Sequence, residues 1–135
     1  MMWINYRTGL MENKTSIIPV YTSKGEIKAF LAFPFLFSDT GEWIGWVNPK
    51  KEVYSVLGKY VGYLTKDPRI LRKRFTAALK PSVDPPPRPR KIRLPAVSPL
   101  APLMSELTQG TLDVLGEEPE LLHTIDFGEL KEDIS

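Results

Sequence analysis

Short runs in which hydrophobic and polar residues alternate follow one another between residues 18 and 66, separated by small, polar and glycine residues. Alternation at every second residue is the pattern of a β-strand, whereas an amphipathic helix repeats about every 3.6 residues. The longest apolar stretch, AFLAFPFLF at residues 29–37, has nine residues and contains a proline. A membrane-spanning helix requires about 20 residues. The pattern therefore predicts an all-β domain of short strands.

Three of these runs belong to a repeat of eleven residues that aligns without gaps. The copies are YTSKGEIKAFL (21–31), FSDTGEWIGWV (37–47) and YSVLGKYVGYL (54–64). Each copy has an aromatic residue, three turn residues, a glycine that can adopt positive φ, and a strand rich in β-branched and aromatic residues. Each copy predicts one β-hairpin, and several must pack together because a lone hairpin is only marginally stable. The structural positions of the repeat are Tyr21, Gly25, Phe37, Gly41, Trp43, Gly45, Tyr54, Gly58 and Gly62.

The second strand of each copy predicts two apolar faces. A small residue at the same position of all three copies, Ala29, Gly45 or Gly62, indicates that another backbone segment approaches closely there. Strict alternation places Trp43 on the face of Gly45, in the crowded centre of the domain, and Trp46 on the outer face. The candidate partner-binding residues on the outer face are Phe30, Trp46 and Tyr63.

Two segments are candidates for a fourth hairpin. A further step of 17 residues reaches Leu71 and Phe75, where phenylalanine replaces the expected glycine, and a step of 16 residues backwards reaches Gly9. We favour the C-terminal candidate because the residues before its turn have better strand character. Met11 is an alternative start of the chain, which would make residues 1–10 an extension.

The repeat resembles the four-fold β-flower domain, a small bacterial module of four related hairpins around a pseudo-four-fold axis. The resemblance rests on the tyrosine, turn, glycine, small and aromatic positions of the repeat and covers about residues 18–80. Members of the family also have a basic fourth repeat that continues into a segment rich in proline and arginine. The resemblance implies a flower or barrel-like arrangement of about four hairpins. It implies no activity, because the family has no established catalytic residues.

Composition divides the chain into four parts. Residues 1–14 form an N-terminal extension, with a degenerate hairpin as the alternative, and residues 15–80 form the repeat domain. Residues 81–102 contain eight prolines. Because prolines favour an extended polyproline II conformation, we expect a stiff linker there. The alternative is that PPPRPRK (85–91) is a ligand for a domain with an aromatic groove. Residues 103–135 form an acidic tail.

The acidic tail predicts two short helices. Ser105 is a candidate N-cap of the first helix, which Gly110 weakens by about 1 kcal/mol relative to alanine, and Pro119 suits the first position of the second. Acidic and hydrophobic residues alternate here, and such segments often stay disordered until a partner supplies an apolar surface. The alternatives are a solvated tail and a tail that folds back onto the basic stretch of the same chain.

Charge is unevenly distributed. The formal charge is +2, but residues 67–93 contain nine basic and two acidic side chains, whereas residues 94–135 contain one basic and nine acidic side chains. The basic stretch at residues 69–93 is a candidate for binding a nucleic acid or another anionic surface, by phosphate contacts and, for a nucleic acid, base stacking on aromatic rings of the repeats. We do not favour a nucleic-acid partner, because the acidic tail would compete for the same side chains. The candidate phosphate-binding residues are Arg69, Arg72, Lys73, Arg74, Arg88, Arg90, Lys91 and Arg93.

Enzyme chemistry is not indicated by the sequence. The chain has no cysteine and a single histidine, His123, which is too few residues for a zinc site of the usual kind. The sequence contains no phosphate-binding loop motif. Asp39 and Glu42 lie close together, but turn formation and solvation account for both. We therefore expect no catalytic, cofactor-binding or metal-binding residues.

The sequence favours a non-enzymatic interaction or scaffold module. In this interpretation a rigid β-domain presents flexible proline-rich and acidic segments to a protein partner, or associates with a second copy through its outer apolar face. A carbohydrate-binding repeat is a further alternative, because such repeats also use hairpins rich in tryptophan, glycine and tyrosine. No signal-peptide pattern opens the chain, so we expect a cytoplasmic location.

Overall fold

Eight short strands form one antiparallel sheet in the computed structural model, which describes residues 16–74 and 80–125. Each strand pairs with its neighbours in sequence, and the sheet curls into a half-barrel, so the predicted all-β fold class is confirmed. The strands are β1 (Ile18–Tyr21), β2 (Ile27–Ala32), β3 (Phe35–Ser38), β4 (Trp43–Val47), β5 (Glu52–Ser55), β6 (Tyr60–Leu64), β7 (Ile70–Lys73) and β8 (Thr111–Asp113). A short helix, α1 (Val114–Glu117), and a 3₁₀ helix (Pro119–Leu121) follow β8.

The first six strands form three hairpins whose turns use the same hydrogen bonds. In the first hairpin the Thr22 N–H donates to the Glu26 carbonyl (2.8 Å), and the Gly25 N–H donates to the Thr22 carbonyl (2.9 Å). The Thr22 hydroxyl also accepts from the Glu26 N–H (3.3 Å). The turns that begin at Ser38 and Ser55 repeat all three bonds. The three turn glycines have φ of +87°, +86° and +83°, so the predicted positive φ is confirmed.

A β-bulge interrupts each of these hairpins. In the second hairpin Leu36 is opposite Gly45 but Phe37 is opposite Trp43, so Ile44 is an extra residue without a partner. The register shifts at the equivalent position of the first and third hairpins. Because neighbouring residues of a strand point to opposite faces, one extra residue moves the residues before it to the other face.

The prediction that Trp43 and Trp46 lie on opposite faces is wrong because of this bulge. Both tryptophans pack in an outer cluster around Phe37. Gly45 faces the other way, since a Cβ built on it would lie 3.0 Å from the side chain of Leu122 in the inner core. Strict alternation holds only along an uninterrupted strand, and the sequence of β4 does not reveal the extra residue.

The inner core fills the concave side of the sheet. Its buried side chains are Val20, Ala29, Leu31, Leu36, Ile44, Val47, Val53, Val61, Ile70, Leu112, Val114, Leu115 and Leu122. The backbone approaches closely at two repeat positions, as predicted. A Cβ on Gly45 would lie 2.5 Å from the Tyr54 carbonyl oxygen, and a Cβ on Gly62 would lie 2.5 Å from the Leu71 carbonyl oxygen.

The last strand of the sheet comes from the acidic tail. Leu71 in β7 pairs with Asp113 in β8, and Lys73 pairs with Thr111. Gly110, directly before β8, has φ +82°. Strand β8 covers the edge of β7, whose backbone groups would otherwise be unpaired. The sheet therefore extends beyond the domain boundary that composition places at residue 80.

The tail differs from its predicted form in one of two places. No helix begins at Ser105, and residues 111–113 form a strand instead, whereas the short 3₁₀ helix does begin at Pro119. The two candidates for the turn of a fourth hairpin, Phe75 and Gly9, lie outside the described residues, as does the N-terminal extension 1–14.

A buried arginine joins three parts of the fold. Arg69 is 3% exposed, and its guanidinium donates to both carboxylate oxygens of Asp67, with an Nη2–Oδ2 distance of 2.7 Å. It also donates to the Ser23 hydroxyl (2.9 Å) and to the Ser105 carbonyl (3.1 Å). This arginine clasp (Asp67, Arg69, Ser23 and Ser105) ties the turn before β7 to the first hairpin and to the segment before β8.

The arginine clasp should make stability depend on pH in the acidic range. Partial burial acts to raise the pKa of Asp67, but hydrogen bonds from Arg69 and Thr65 outweigh it and hold the pKa below the ordinary value of 3.8. Since the folded pKa is the lower one, this stabilisation is present above pH 3.8 and is lost as the pH falls through the folded value. We expect Asp67→Asn to lower the free energy of unfolding at neutral pH and to flatten its decline below about pH 4, measured by urea unfolding.

The control for this prediction is Asp39→Asn, which removes an exposed turn carboxylate outside the arginine clasp. We expect the control to retain the acid-induced loss of stability seen in the wild type. Equal pH profiles for the wild type and Asp67→Asn would contradict the role given to Asp67.

Candidate binding surface on the proline-rich strap

The proline-rich segment is docked on the sheet. We call residues 80–110 the strap. Three strap residues, each nine positions after the one before, contact the turn glycines of the three hairpins. The first of them contacts the third hairpin, and the last contacts the first hairpin. The contacts are the Val83 N–H to the Gly58 carbonyl (2.8 Å), the Ile92 N–H to the Gly41 carbonyl (3.1 Å), and the Ala101 Cβ 3.5 Å from a Cβ built on Gly25.

The strap requires glycine at two of these turns for a second reason besides positive φ. A Cβ on Gly58 would lie 1.8 Å from the Val83 carbonyl oxygen, and a Cβ on Gly41 would lie 2.4 Å from the Ile92 carbonyl oxygen. Both distances are far below van der Waals contact, so a larger residue would displace the strap. The segment that the sequence assigns to a linker is therefore packed against the domain at these points.

Burial along the strap repeats at every third residue. The half-buried positions are Pro86, Pro89 and Ile92, then Leu94, and then Ser98, Ala101, Met104 and Leu107, while the positions between them are exposed. Polyproline II has about three residues per turn, so one side of such a helix faces the sheet at every third residue. The burial pattern thus indicates a polyproline II conformation, interrupted once near Leu94.

Three large aliphatic side chains point away from the sheet on the opposite side of the strap. Val97 is 86% exposed, Leu100 is 94% exposed and Leu103 is 102% exposed. Their spacing of three residues places them in one row, about 9 Å apart, on a polyproline II helix. We call this row the ridge. Contiguous apolar surface that is left in water usually marks an interaction site.

The backbone beneath the ridge is held in place on both sides. The Tyr21 hydroxyl donates to the Pro99 carbonyl (2.8 Å), and Ala101 packs on Gly25. Further along, the Ser105 carbonyl accepts from Arg69 of the arginine clasp. Because these contacts fix the chain before any partner arrives, the ridge has less conformational entropy to lose on binding than a free peptide has.

The beginning of the strap is held by an ion pair. Lys80 Nζ lies 3.0 Å from Glu52 Oε2 and 4.8 Å from the centre of the Tyr60 ring. Hydrogen bonds from Asn48 and Lys80 hold the pKa of Glu52 below its ordinary value, and the hydrogen bond with Glu52 raises the pKa of Lys80. Both groups are therefore charged at neutral pH.

The aromatic side chains of the repeats do not form an open platform. Trp46 is half-buried and stacks on Tyr54, with ring centres 4.6 Å apart, and Tyr60 meets Tyr54 edge-on. Of the other two predicted partner-binding residues, Tyr63 is half-buried and Phe30 is 6% exposed. An exposed tryptophan surface for sugars or bases is thus not present among the described residues.

An apolar groove opens beside the first half of the strap. It has a volume of about 300 Å³ and is lined mainly by phenylalanine and proline side chains. Phe33, at the turn between β2 and β3, is 52% exposed. We call this site the phenylalanine groove; its lining includes Phe33, Pro34, Phe35, Phe37, Pro89 and Arg90.

The candidate phosphate-binding residues are dispersed. Arg69 is buried in the arginine clasp, and Arg72 is 6% exposed and pairs with Glu118 at 2.8 Å, so neither is available to a polyanion. Two exposed residues form ion pairs, Arg74 with Glu117 at 3.3 Å and Lys91 with Glu42 at 3.8 Å. Lys73, Arg88, Arg90 and Arg93 are exposed. Acidic residues after β8 therefore neutralise part of the basic stretch.

Two cavities lie beside the segment that follows β8, the first against α1 and the second against residues 118–123. They have volumes of about 570 and 590 Å³, and charged side chains of both signs line each of them. His123, in the second cavity, has its Nδ1 2.8 Å from the Thr124 carbonyl oxygen. Within residues 16–74 and 80–125, no three acidic or histidine side chains are grouped as metal ligands.

None of the helices in the described part of the chain is long and apolar enough to cross a membrane. Comparison of the chain with models of protein families, with curated proteins and with solved structures finds no match. The candidate surfaces are therefore interpreted from their own geometry.

The ridge residues were missed by the sequence analysis, although a signal for them exists. In VSPLAPL, residues 97–103, an aliphatic residue stands at every third position and small or proline residues lie between. This is the period of polyproline II, which differs from the periods of helices and strands. The period identifies the row, but only the docked backbone shows that the row faces solvent.

Docking of the strap can be tested with two matched glycine substitutions. Gly58 and Gly110 have φ of +83° and +82°, but a Cβ on Gly110 has no atom within 4 Å, whereas one on Gly58 meets the strap. We expect Gly110→Ala to cost about 1–2 kcal/mol, the strain of positive φ alone. Gly58→Ala should cost about 1–3 kcal/mol more, because it displaces Val83. Equal losses in urea unfolding would contradict the docked strap.

Proposed function

We propose that the protein is a non-enzymatic interaction module whose sheet and turns hold the strap so that the ridge binds a protein partner. The observation that carries this proposal is the exposure of Val97, Leu100 and Leu103, at 86–102%, on a segment that is otherwise docked. Holding the strap does not account for these side chains, since Val83, Ile92 and Ala101 make its contacts with the turn glycines. Binding to a partner does account for them, because it would remove the row from water.

The chemistry of the partner follows from the conformation of the ridge. Polyproline II segments bind in grooves lined by aromatic side chains. The preformed backbone reduces the entropy lost on binding. We therefore propose a protein partner with an aromatic-lined groove, and not a polyanion.

We also propose that the four strand pairs form a pseudo-four-fold flower, in line with the resemblance noted above. Three hairpins share the same turn bonds and the same bulge. The pairing of β7 with β8 adds a fourth antiparallel pair, and Gly110 before β8 has nearly the same φ as the three turn glycines. The strap would then be an insertion within the fourth hairpin that contacts the other three turns.

The proposed function predicts that single charged substitutions on the ridge abolish partner binding. Truncation at residue 80 is unsuitable because it would also remove β8. We expect the intact chain, used as bait, to recover partners that Leu100→Asp and Leu103→Asp do not recover. The affinity for a purified partner should fall at least tenfold, because a charge would enter an apolar pocket. Quantitative mass spectrometry of captured proteins measures the effect.

The matched control is Leu57→Asp. Leu57 is 46% exposed in the turn of the third hairpin and lies outside the ridge. We expect the control to recover the same proteins as the wild type. Recovery of an unchanged set of proteins by both ridge variants would rule out the ridge as the binding element.

A further inference from the structure

The phenylalanine groove has the chemistry that the ridge requires of a partner. Phe33, Phe35 and Phe37 supply aromatic rings, and Pro34 and Pro89 supply flat apolar faces. Its volume of about 300 Å³ is at the lower end for ligand pockets, so it suits a short stretch of extended peptide. The same chain thus carries a polyproline II ridge and a groove of the type that binds such ridges.

Charge at the ends of the two surfaces is also complementary. Glu106 stands three residues after Leu103 and is exposed, so it continues the row of the ridge with an acidic group. Arg90 lines the phenylalanine groove and is exposed. Among the described residues neither Arg90 nor Glu106 has an ion-pair partner. A ridge lying in the groove with Glu106 near Arg90 would pair these two charges.

The ridge of a chain does not fill the groove of the same chain. Its side chains are 86–102% exposed, and the backbone beneath them is fixed to the first hairpin by the Tyr21–Pro99 hydrogen bond. Val97 lies five positions after Ile92, which is at the groove, and five steps of about 3.1 Å in polyproline II span about 15 Å. Folding the ridge back into this groove would break the hydrogen bonds that hold the ridge backbone to Tyr21 and Arg69.

We infer that the ridge of one copy of this chain binds the phenylalanine groove of a second copy. This inference rests on the proposed function, since it names the partner of the ridge. The contact joins two different surfaces of the protein. Two copies can therefore form a closed dimer with two such contacts, or successive copies can form an open chain with one contact at each step. A contact formed by one row of side chains is small, and the association is therefore reversible and depends on concentration.

The test compares ridge and groove variants of the full chain by sedimentation velocity over a range of concentrations. Leu100→Asp removes the ridge, Phe33→Asp removes the groove, and Leu57→Asp is the control. Wild type and control associate as concentration rises, whereas each of the two variants alone sediments as a monomer. An equimolar mixture of Leu100→Asp and Phe33→Asp forms dimers and nothing larger, because the mixture retains a single intact pair of surfaces.

Restoration by mixing separates the inference from general damage to the fold, since two misfolded variants would not complement each other. Circular dichroism melting of each variant checks that it is folded. A charge exchange gives an independent test on exposed residues. Arg90→Glu and Glu106→Arg each weaken association by about two- to fivefold, and the two changes in one chain restore it.

Two results would overturn the inference. One is a wild type that stays monomeric at concentrations of several hundred micromolar, and the other is a Leu100→Asp or Phe33→Asp variant that alone associates as strongly as the wild type. If the wild type is a reciprocal dimer, the mixture associates more weakly than the wild type, because it has one contact in place of two. The proposed function is tested separately by capture of other proteins. If the wild type is monomeric but Leu100→Asp loses a captured protein, the proposed function is supported. In that case only a second copy of this chain is excluded as the partner of the ridge.

Discussion

Closure of the half-barrel depends on the arginine clasp. A meander of eight strands has two edges, β1 and β8, whose backbone groups invite pairing with other chains. Arg69 reaches Ser23 of the first hairpin, and beside it the Tyr21 N–H donates to the Pro68 carbonyl (3.0 Å). From the other side, Asp113 of β8 accepts from the Ser23 N–H (2.6 Å). A buried guanidinium is tolerated here because hydrogen-bond acceptors surround it. Ser23 therefore links the first hairpin both to Arg69, before β7, and to Asp113 of β8.

The strap depends on this closure and on the turn glycines. Successive strap residues that contact the turn glycines are nine positions apart. Nine residues of polyproline II span at most about 28 Å, so this is the distance that the strap can cover from one hairpin turn to the next. Gly41 and Gly58 each serve two purposes, since positive φ closes the turn and the missing Cβ lets a strap carbonyl approach. At Gly58 the Val83 N–H also donates to the glycine carbonyl. Turn geometry and strap docking are therefore coupled, and the proline content keeps the strap extended between its contacts.

The hairpins were predictable because contacts within eleven residues define each of them. The turn glycines and the close approach at Gly45 and Gly62 follow from the repeat for the same reason. The bulge was not predictable. Leaving Ile44 without a partner moves the Trp43 side chain to the other face of the sheet, but it leaves no mark in the residue composition of the strand. Burial of Arg69, docking of the strap and pairing of β8 depend on residues far apart in the chain. A local pattern carries no information about such contacts, and in the sequence Arg69 is therefore one member of a basic run.

The bulge also decides which surface is left for a partner. By moving Trp43 to the face of Trp46, it gathers the aromatic rings on the outer side, where Ile92 of the strap packs against them. The rings therefore contribute to holding the strap and are largely withdrawn from solvent. The strap in turn places its own aliphatic row in water, since its half-buried residues occupy the side that faces the sheet. The exposed apolar surface of the domain therefore lies on the ridge and at Phe33 of the phenylalanine groove, and not on the tryptophans of the repeat.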